Sequence, residues 1–214
     1  MARKTDDPNI VRKRNGQVMS TFEQAIDVII NHEAYQHPDG HWDYYVNDPD
    51  DKGGPTAWGI STLIIETHGI APEFLKIPDL SAESIELITL DTSKTVYRTV
   101  FWDAHKYSDI TDQTAATKIF DANVNMLSGG IMCCQRACIS LGYPVTVDGL
   151  MGPNTLTAIN SCDPSNWVKQ VCKEMAKHYQ NIIAAKPKQK KFERTWMRRA
   201  AWPKSRMVDW DAPS

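Results

Sequence analysis

The sequence predicts a mainly α fold with a small β element, and three observations carry that prediction. Apolar residues recur at helical spacing in several segments. Three of those segments open at a capping or proline signal, and two close at glycine. No series of alternating strands runs through the 214 residues. Hydrophobic residues at 42% and charged residues at 23% are ordinary globular usage, which excludes global disorder. No stretch of 18 apolar residues is present, which excludes a transmembrane helix.

Residues 1–19 read as a polar, solvated arm without the apolar core of a secretory signal. Ser20-Thr21-Phe22-Glu23 predicts a capping box, and Phe22, Ile26, Ile29 and Ile30 follow as the buried stripe of an amphipathic helix. Pro38-Asp39-Gly40 breaks that pattern, and the chain to Gly59 is rich in turn formers. Ser81–Ala104 predicts one long helix or two in tandem. Thr114–Leu127 predicts another, ended by Gly129-Gly130. Ile131–Leu141 is the next, closed by Gly142, and Pro144–Gly149 suggests a short extended piece and a turn. Pro153 stands where a helix through Ile159 would start, and a helix from Pro164 to about Ala185 completes the series.

The formal charge of −2 excludes a molecule that wraps nucleic acid over its whole surface. The charge is nonetheless uneven. Lys186–Arg206 holds nine Lys/Arg against Glu193 alone, interleaved with Trp196 and Trp202, as suits contact with anionic outer-membrane lipid. A solvated helical face is the plainer alternative. A nucleic-acid role for this tail lacks a helix with base-reading residues, so no nucleic-acid partner is expected. Cys133, Cys134, Cys138, Cys162 and Cys172 read as reduced thiols packed in helices, with no zinc-ligand spacing. A monomer is expected.

Glu33 is the first candidate for chemistry. It lies eleven residues after Phe22, about 1100° of helical rotation and so within about 20° of the same direction. A carboxyl group on the apolar face at a helix end is partly desolvated, which raises its pKa. An acid that keeps its proton near neutrality can protonate a glycosidic oxygen. The alternative is a helix-terminal Glu turned to water. In the loop that follows, Asn47, Asp48, Asp50, Asp51 and Thr56 stand among Trp42, Tyr44, Tyr45 and Trp58, with Gly53-Gly54 between them. Aromatic faces beside carboxyl and amide groups suit pyranose rings. Asp48-x-Asp50 with Gly53 faintly follows a calcium loop, but Gly59 occupies the position of the bidentate Glu. His32, His37 and His41 lack a usual zinc spacing. No metal and no cofactor is expected.

Glu33 followed by Asn47-Asp48-Pro49-Asp50-Asp51-Lys52-Gly53-Gly54-Pro55-Thr56-Ala57-Trp58-Gly59-Ile60-Ser61 resembles the signature of glycoside hydrolase family 108. These are N-acetylmuramidases found among phage endolysins and bacterial secretion activators. Val96-Tyr97-Arg98 and Phe101-Trp102-Asp103 extend the match, which covers about residues 20–110. Two features depart from it. Ala34-Tyr35 replaces the usual Gly-Gly after the Glu, and about eight extra residues, Gln36–Asp43, precede the loop. Further on, Val147-Asp148-Gly149-Leu150-Met151-Gly152-Pro153-Asn154-Thr155 and Phe192–Arg199 resemble the predicted peptidoglycan-binding domain that accompanies the family.

The resemblance implies a lysozyme-like catalytic domain at 20–112 and a small helical peptidoglycan-binding domain with a short β element at 113–206. The basic segment 186–206 would lie within the latter, and a tail would follow at 207–214. It implies a lysozyme-type glycosidase that cleaves the β-1,4 bond between N-acetylmuramic acid and N-acetylglucosamine. Glu33 would be the general acid, with Asp48, Asp51 and Thr56 as partners for the attacking water. Tyr45, Asn47, Trp58, Asp148 and Asn154 would contact the glycan strands. It also implies an enzyme of host-cell lysis that builds up in the cytoplasm and reaches the wall once a holin opens the membrane. A binding-only module remains an alternative, supported by Ala34-Tyr35.

Overall fold

The structure is a computed structural model that describes residues 12–14, 17–48 and 53–203. It is mainly α, as expected. The described chain forms two compact units. One is Ile26–Ala104; the other joins the chain before residue 26 to the chain after residue 104.

Two short strands, β1 (Arg12–Arg14) and β2 (Gln17–Met19), pair antiparallel within the segment expected to be a free arm. Helix α1 follows at Phe22–Glu33. Tertiary partners fix the chain where this helix begins. The N–H and hydroxyl of Ser20 both donate to the Ile110 carbonyl, at 3.3 and 2.6 Å, and the Thr21 N–H donates to Gln113 Oε1 at 2.7 Å. Along α1, Ala25, Ile26, Ile29 and Ile30 are buried, the stripe that the periodicity predicts.

The unit 26–104 holds the strands that matter for the site. β3 (Tyr35–Gln36) pairs with β4 (Trp42–Asp43). β5 (Tyr45–Val46), β6 (Thr56–Ala57) and β7 (Ile60–Ser61) form a three-stranded antiparallel sheet. Turn chemistry concealed these strands, since each is only two residues long. Helices α2 (Thr62–Thr67), α3 (Pro72–Leu75), α4 (Ala82–Glu86) and α5 (Leu90–Val96) follow. The last runs directly into a π-helical stretch, Tyr97–Asp103. Ser81 and Thr89 cap α4 and α5 through their hydroxyls. Tyr97, Phe101 and Trp102 are buried beneath this stretch.

In the other unit, α6 (Gln113–Met126) is buried on every side from Ala115 to Val124. Helix α7 (Ser128–Ser140) begins two residues after α6 ends, so Gly129-Gly130 opens a helix instead of closing one. Leu127, at φ 51°, carries the break. Gly130 serves close packing, because a Cβ there would collide with the Ala122 carbonyl. The segment Pro144–Gly149, expected to hold a short extended piece, forms no strand; it bends at Asp148-Gly149, where Gly149 takes φ 72°. Helices α8 (Pro153–Ser161) and α9 (Pro164–Ala185) start at the prolines that predict them. A 3₁₀ turn (Pro187–Phe192) and α10 (Glu193–Ala200) end the described chain.

Two charged residues of α6, Lys118 and Asp121, are fully buried, and both reach α10. Lys118 Nζ donates to the carbonyls of Arg199, Ala200 and Trp202 at 3.2, 2.9 and 2.8 Å. The orphan carbonyls at the end of α10 are thereby satisfied by an ammonium group. Arg199 donates through Nε and Nη2 to Asp121 Oδ1, each at 2.8 Å. Part of the basic segment is thus interior. Arg199 is buried, and Trp196 stacks on Tyr179 at 5.1 Å, while Lys186, Lys188, Lys190, Lys191, Arg194 and Arg198 remain exposed. The five cysteines are buried free thiols, and burial pushes Cys133 up to about 11 and Cys162 up to about 12. None of the described helices is long and apolar enough to cross a membrane.

Candidate active site

Glu33 is the last residue of α1 and is half-buried. What holds it is the turn between β6 and β7. Trp58 and Gly59 link those strands with φ of 52° and 78°, the two left-handed central residues of a type I′ hairpin. Glycine is required at the second of these. A Cβ at Gly59 would stand 2.7 Å from Glu33 Cγ and would overlap the Tyr97 hydroxyl. The backbone of Gly59 therefore lies flat against the stem of Glu33.

Trp58 takes the first left-handed position, which a bulky residue occupies only under external restraint. Four contacts supply it. Its N–H donates to the Tyr44 carbonyl at 2.7 Å, and its carbonyl accepts from the Tyr97 hydroxyl at 2.9 Å. Its ring stacks on Tyr44, with centroids 4.7 Å apart and planes at 12°, and meets Trp42 at 5.4 Å. Trp58 is 7% exposed, so its ring braces the turn and offers little face to a sugar. Trp42 and Tyr44, both half-buried, are the more open members of the cluster.

Asn47 and Asp48 follow β5 directly and are exposed. Asp51 lies outside the described residues. Thr56 stands on β6 opposite Val46, and its hydroxyl donates to the Gly54 carbonyl at 3.0 Å. That bond commits the hydroxyl proton and leaves the oxygen as an acceptor. Tyr45 donates its hydroxyl to the Ala82 carbonyl at 3.1 Å; desolvation, with Glu86 and Glu83 nearby, pushes its pKa up, against a hydrogen bond from Asn47. The sheet thus brings Thr56, Trp58, Tyr45 and Asn47 onto one small scaffold.

The extra segment after Glu33 is an ordered hairpin, β3–β4. His37 Nε2 lies 2.8 Å from Asp43 Oδ2, the His37 N–H donates to the His41 carbonyl, and Gly40 turns the tip at φ 89°. Tyr35 is 60% exposed on it and meets His37 edge-on at 4.8 Å. Among the described residues no group of three or more His, Cys, Asp or Glu is arranged to hold a metal ion.

Asp148 and Asn154 belong to the other unit, in the loop between α7 and α8 and its first helical turn. The loop is organised by Gln135, a residue whose role sequence reasoning missed. Gln135 is fully buried on α7. Its Nε2 donates to Asp148 Oδ1 (2.7 Å), the Leu150 carbonyl (3.1 Å) and Thr155 Oγ1 (3.2 Å), and its Oε1 accepts from the Gly149 N–H (3.0 Å). The amide of Gln135 and the Leu150 N–H hold the Asp148 carboxyl below its usual range. A lone amide on an otherwise apolar face, between Ile131 and Cys138, was the signal that could have marked it. Tyr97 is the second residue missed, as its place in a helical apolar stripe concealed its hydroxyl's task.

Residues 26–126 match the glycosyl hydrolase 108 family, and residues 129–201 match the predicted peptidoglycan domain. Comparison with curated proteins finds no match. Among solved structures, that of Brucella abortus SagA shares the fold, with a TM-score of 0.58 at 18% identity, covering 85% of this chain and 94% of that one. On these grounds the chain belongs to the glycosyl hydrolase 108 family, as a glycoside hydrolase of peptidoglycan with a peptidoglycan domain at its C-terminal side.

Proposed function

We propose that the protein is an N-acetylmuramidase that hydrolyses the β-1,4 bond between N-acetylmuramic acid and N-acetylglucosamine, with Glu33 as general acid. The observation that carries this reading is the clasp on Glu33: a helix-terminal carboxyl group, half-buried, with its stem packed against the Gly59 backbone. A positioned acid of this kind delivers its proton to the glycosidic oxygen as the bond to the anomeric carbon breaks. Water supplies the new oxygen on that carbon. Thr56, whose own proton goes to Gly54, accepts a hydrogen from that water, and Asp48 or Asp51 takes the proton that it sheds. Tyr45, Asn47 and the aromatic cluster around Trp58 line the approach of the glycan strand.

In this reading residues 20–112 carry the chemistry and 113–206 hold the wall, with Asp148 and Asn154 in contact with it. The exposed lysines and arginines of 186–198, beside Phe192 at 39% exposure, favour contact with anionic outer-membrane lipid. Resemblance to phage endolysins supports a role in host lysis, with access to the wall after a holin permeabilises the membrane.

The test is digestion of purified Gram-negative sacculi by the wild type and by Glu33→Gln, with the new reducing ends identified by mass spectrometry. Muropeptides ending in N-acetylmuramic acid, lost in a folded variant, are the expected result. Products ending in N-acetylglucosamine, or turnover that survives the substitution, would overturn the assignment. Sacculus binding without turnover would favour a binding-only module.

A further inference from the structure

The loop Pro144–Thr155 lines a groove of about 700 Å³. Its walls combine Pro144, Val145, Leu150 and Pro153 with Asp148 and Asn154. Leu150 is 66% exposed and presents its side chain beside the two prolines and Val145 of the groove. The loop is held in place from inside by Gln135 and by Gly149, where a Cβ would stand 2.9 Å from Ser128 Cβ. A groove on so rigid a loop is formed before any ligand arrives.

Its chemistry differs from that of the aromatic cluster in the other unit. No aromatic side chain lines it. A pyranose ring presents flat C–H faces that stack on aromatic rings, and the groove has none to offer. Branched aliphatic side chains and proline rings are complementary to methyl groups instead. Asp148, an exposed carboxylate, is the one ionisable group among the lining residues. A ligand with small aliphatic groups, amide bonds and one ammonium satisfies all of these surfaces. The stem peptide of peptidoglycan, with its alanine methyls and the free amine of its diamino acid, has that chemistry.

We infer that the Pro144–Thr155 groove binds the stem peptide of the wall, with Asp148 on the ammonium and Leu150 on the alanine methyls. This rests on the reading that residues 113–206 hold the wall, and it specifies which part of the wall they hold. Asn154, at the start of α8, donates to or accepts from the peptide backbone. Attachment through the peptide leaves the glycan strand to the other unit.

The test is an NMR titration of the full chain, following the Leu150 and Asn154 amides. The probes are an amine-bearing stem tetrapeptide, the same peptide with its amine acetylated, and the peptide-free disaccharide. The tetrapeptide is expected to move these amides and the disaccharide to leave them unmoved. Asp148→Asn keeps an acceptor for Gln135 and for the Leu150 N–H but removes the charge. It is expected to weaken the amine-bearing peptide about fivefold and to leave the acetylated peptide unchanged. Leu150→Ser is expected to weaken both peptides about tenfold. Movement by the disaccharide and none by the peptides would overturn the inference while leaving wall attachment intact. Failure of the full chain to sediment with sacculi would overturn the underlying reading as well.

Discussion

The hydroxyl of Tyr97 lies 2.9 Å from the carbonyl oxygen of Trp58 and donates to it, across 39 residues of sequence. That single bond joins the start of the π-helical stretch to a turn in which a tryptophan sits at φ 52°. The next residue, Gly59, packs on Glu33. The position of the proposed acid therefore depends on a phenol that needs no contact with substrate.

Tyr97→Phe removes that bond while keeping the ring. A buried neutral hydrogen bond contributes about 1 kcal/mol, and the Trp58 carbonyl would be left without it. We expect a loss of about 1–2 kcal/mol in chemical denaturation, and a fall in kcat on sacculi larger than any rise in KM. Gly59→Ala forces a methyl group into the Glu33 stem at a φ that favours glycine, and should cost about 2–4 kcal/mol. Activity in that variant is expected to fall further than in Tyr97→Phe, as measured on protein verified as folded by near-UV circular dichroism.

Asp121→Asn tests the buried pair between α6 and α10. It removes the charge that the buried Arg199 guanidinium faces, and breaking such a buried pair typically costs about 3–5 kcal/mol. The double variant Asp121→Leu with Arg199→Met removes both charges and should recover most of that loss. Urea denaturation curves of the two proteins measure the difference.

Asp79 provides a pH prediction. Its Oδ1 accepts from the Ser81 N–H and from the hydroxyls of Ser81 and Ser84, and these bonds lower its pKa from 3.8 to about 2. The folded value lies below the unfolded one, so this stabilisation is complete above about pH 4 and fades as pH falls through 3.8 towards 2. Asp79→Asn should flatten that part of the stability–pH curve. A melting-temperature series from pH 5 to pH 2 reads it directly.

Charge reversal at Lys188, Lys190 and Lys191 tests the lipid reading without touching the buried Arg199. Binding to vesicles containing anionic lipid should fall at least tenfold and lose most of its salt dependence. Digestion of purified sacculi, which carry no outer membrane, should be unchanged.

Much of this architecture was legible in the chain. Proline at the first helical turn marks α8 and α9 at the residues where they start, and the isoleucine stripe marks α1. The family signature drew attention to Glu33 and the loop after it. Other features were hidden for physical reasons. Strands of two residues carry no measurable alternation, so the sheet beside Glu33 looked like turns. Gly129-Gly130 has the composition of a helix stop, yet it serves the close approach of Gly130 to the Ala122 carbonyl. Ser20 has the spacing of a capping box, and nothing local shows that its N–H and hydroxyl both donate to Ile110, 90 residues away. Lys118 and Asp121 are polar residues in a helix pattern, and nothing local shows that their partners lie about 80 residues away.

The ammonium of Lys118 bonds main-chain oxygens, which every amino acid possesses. Those three bonds thus do not depend on which side chains the stretch from Arg199 to Trp202 carries, although Arg199 is separately fixed by Asp121, and the stretch cannot be shortened. A deletion that stops before Trp202 removes one acceptor, and a deletion before Arg199 removes all three, stranding a charged amine in the interior. What Lys118 requires of this segment is thus its length. Chimeras built from this protein should place their junctions beyond it.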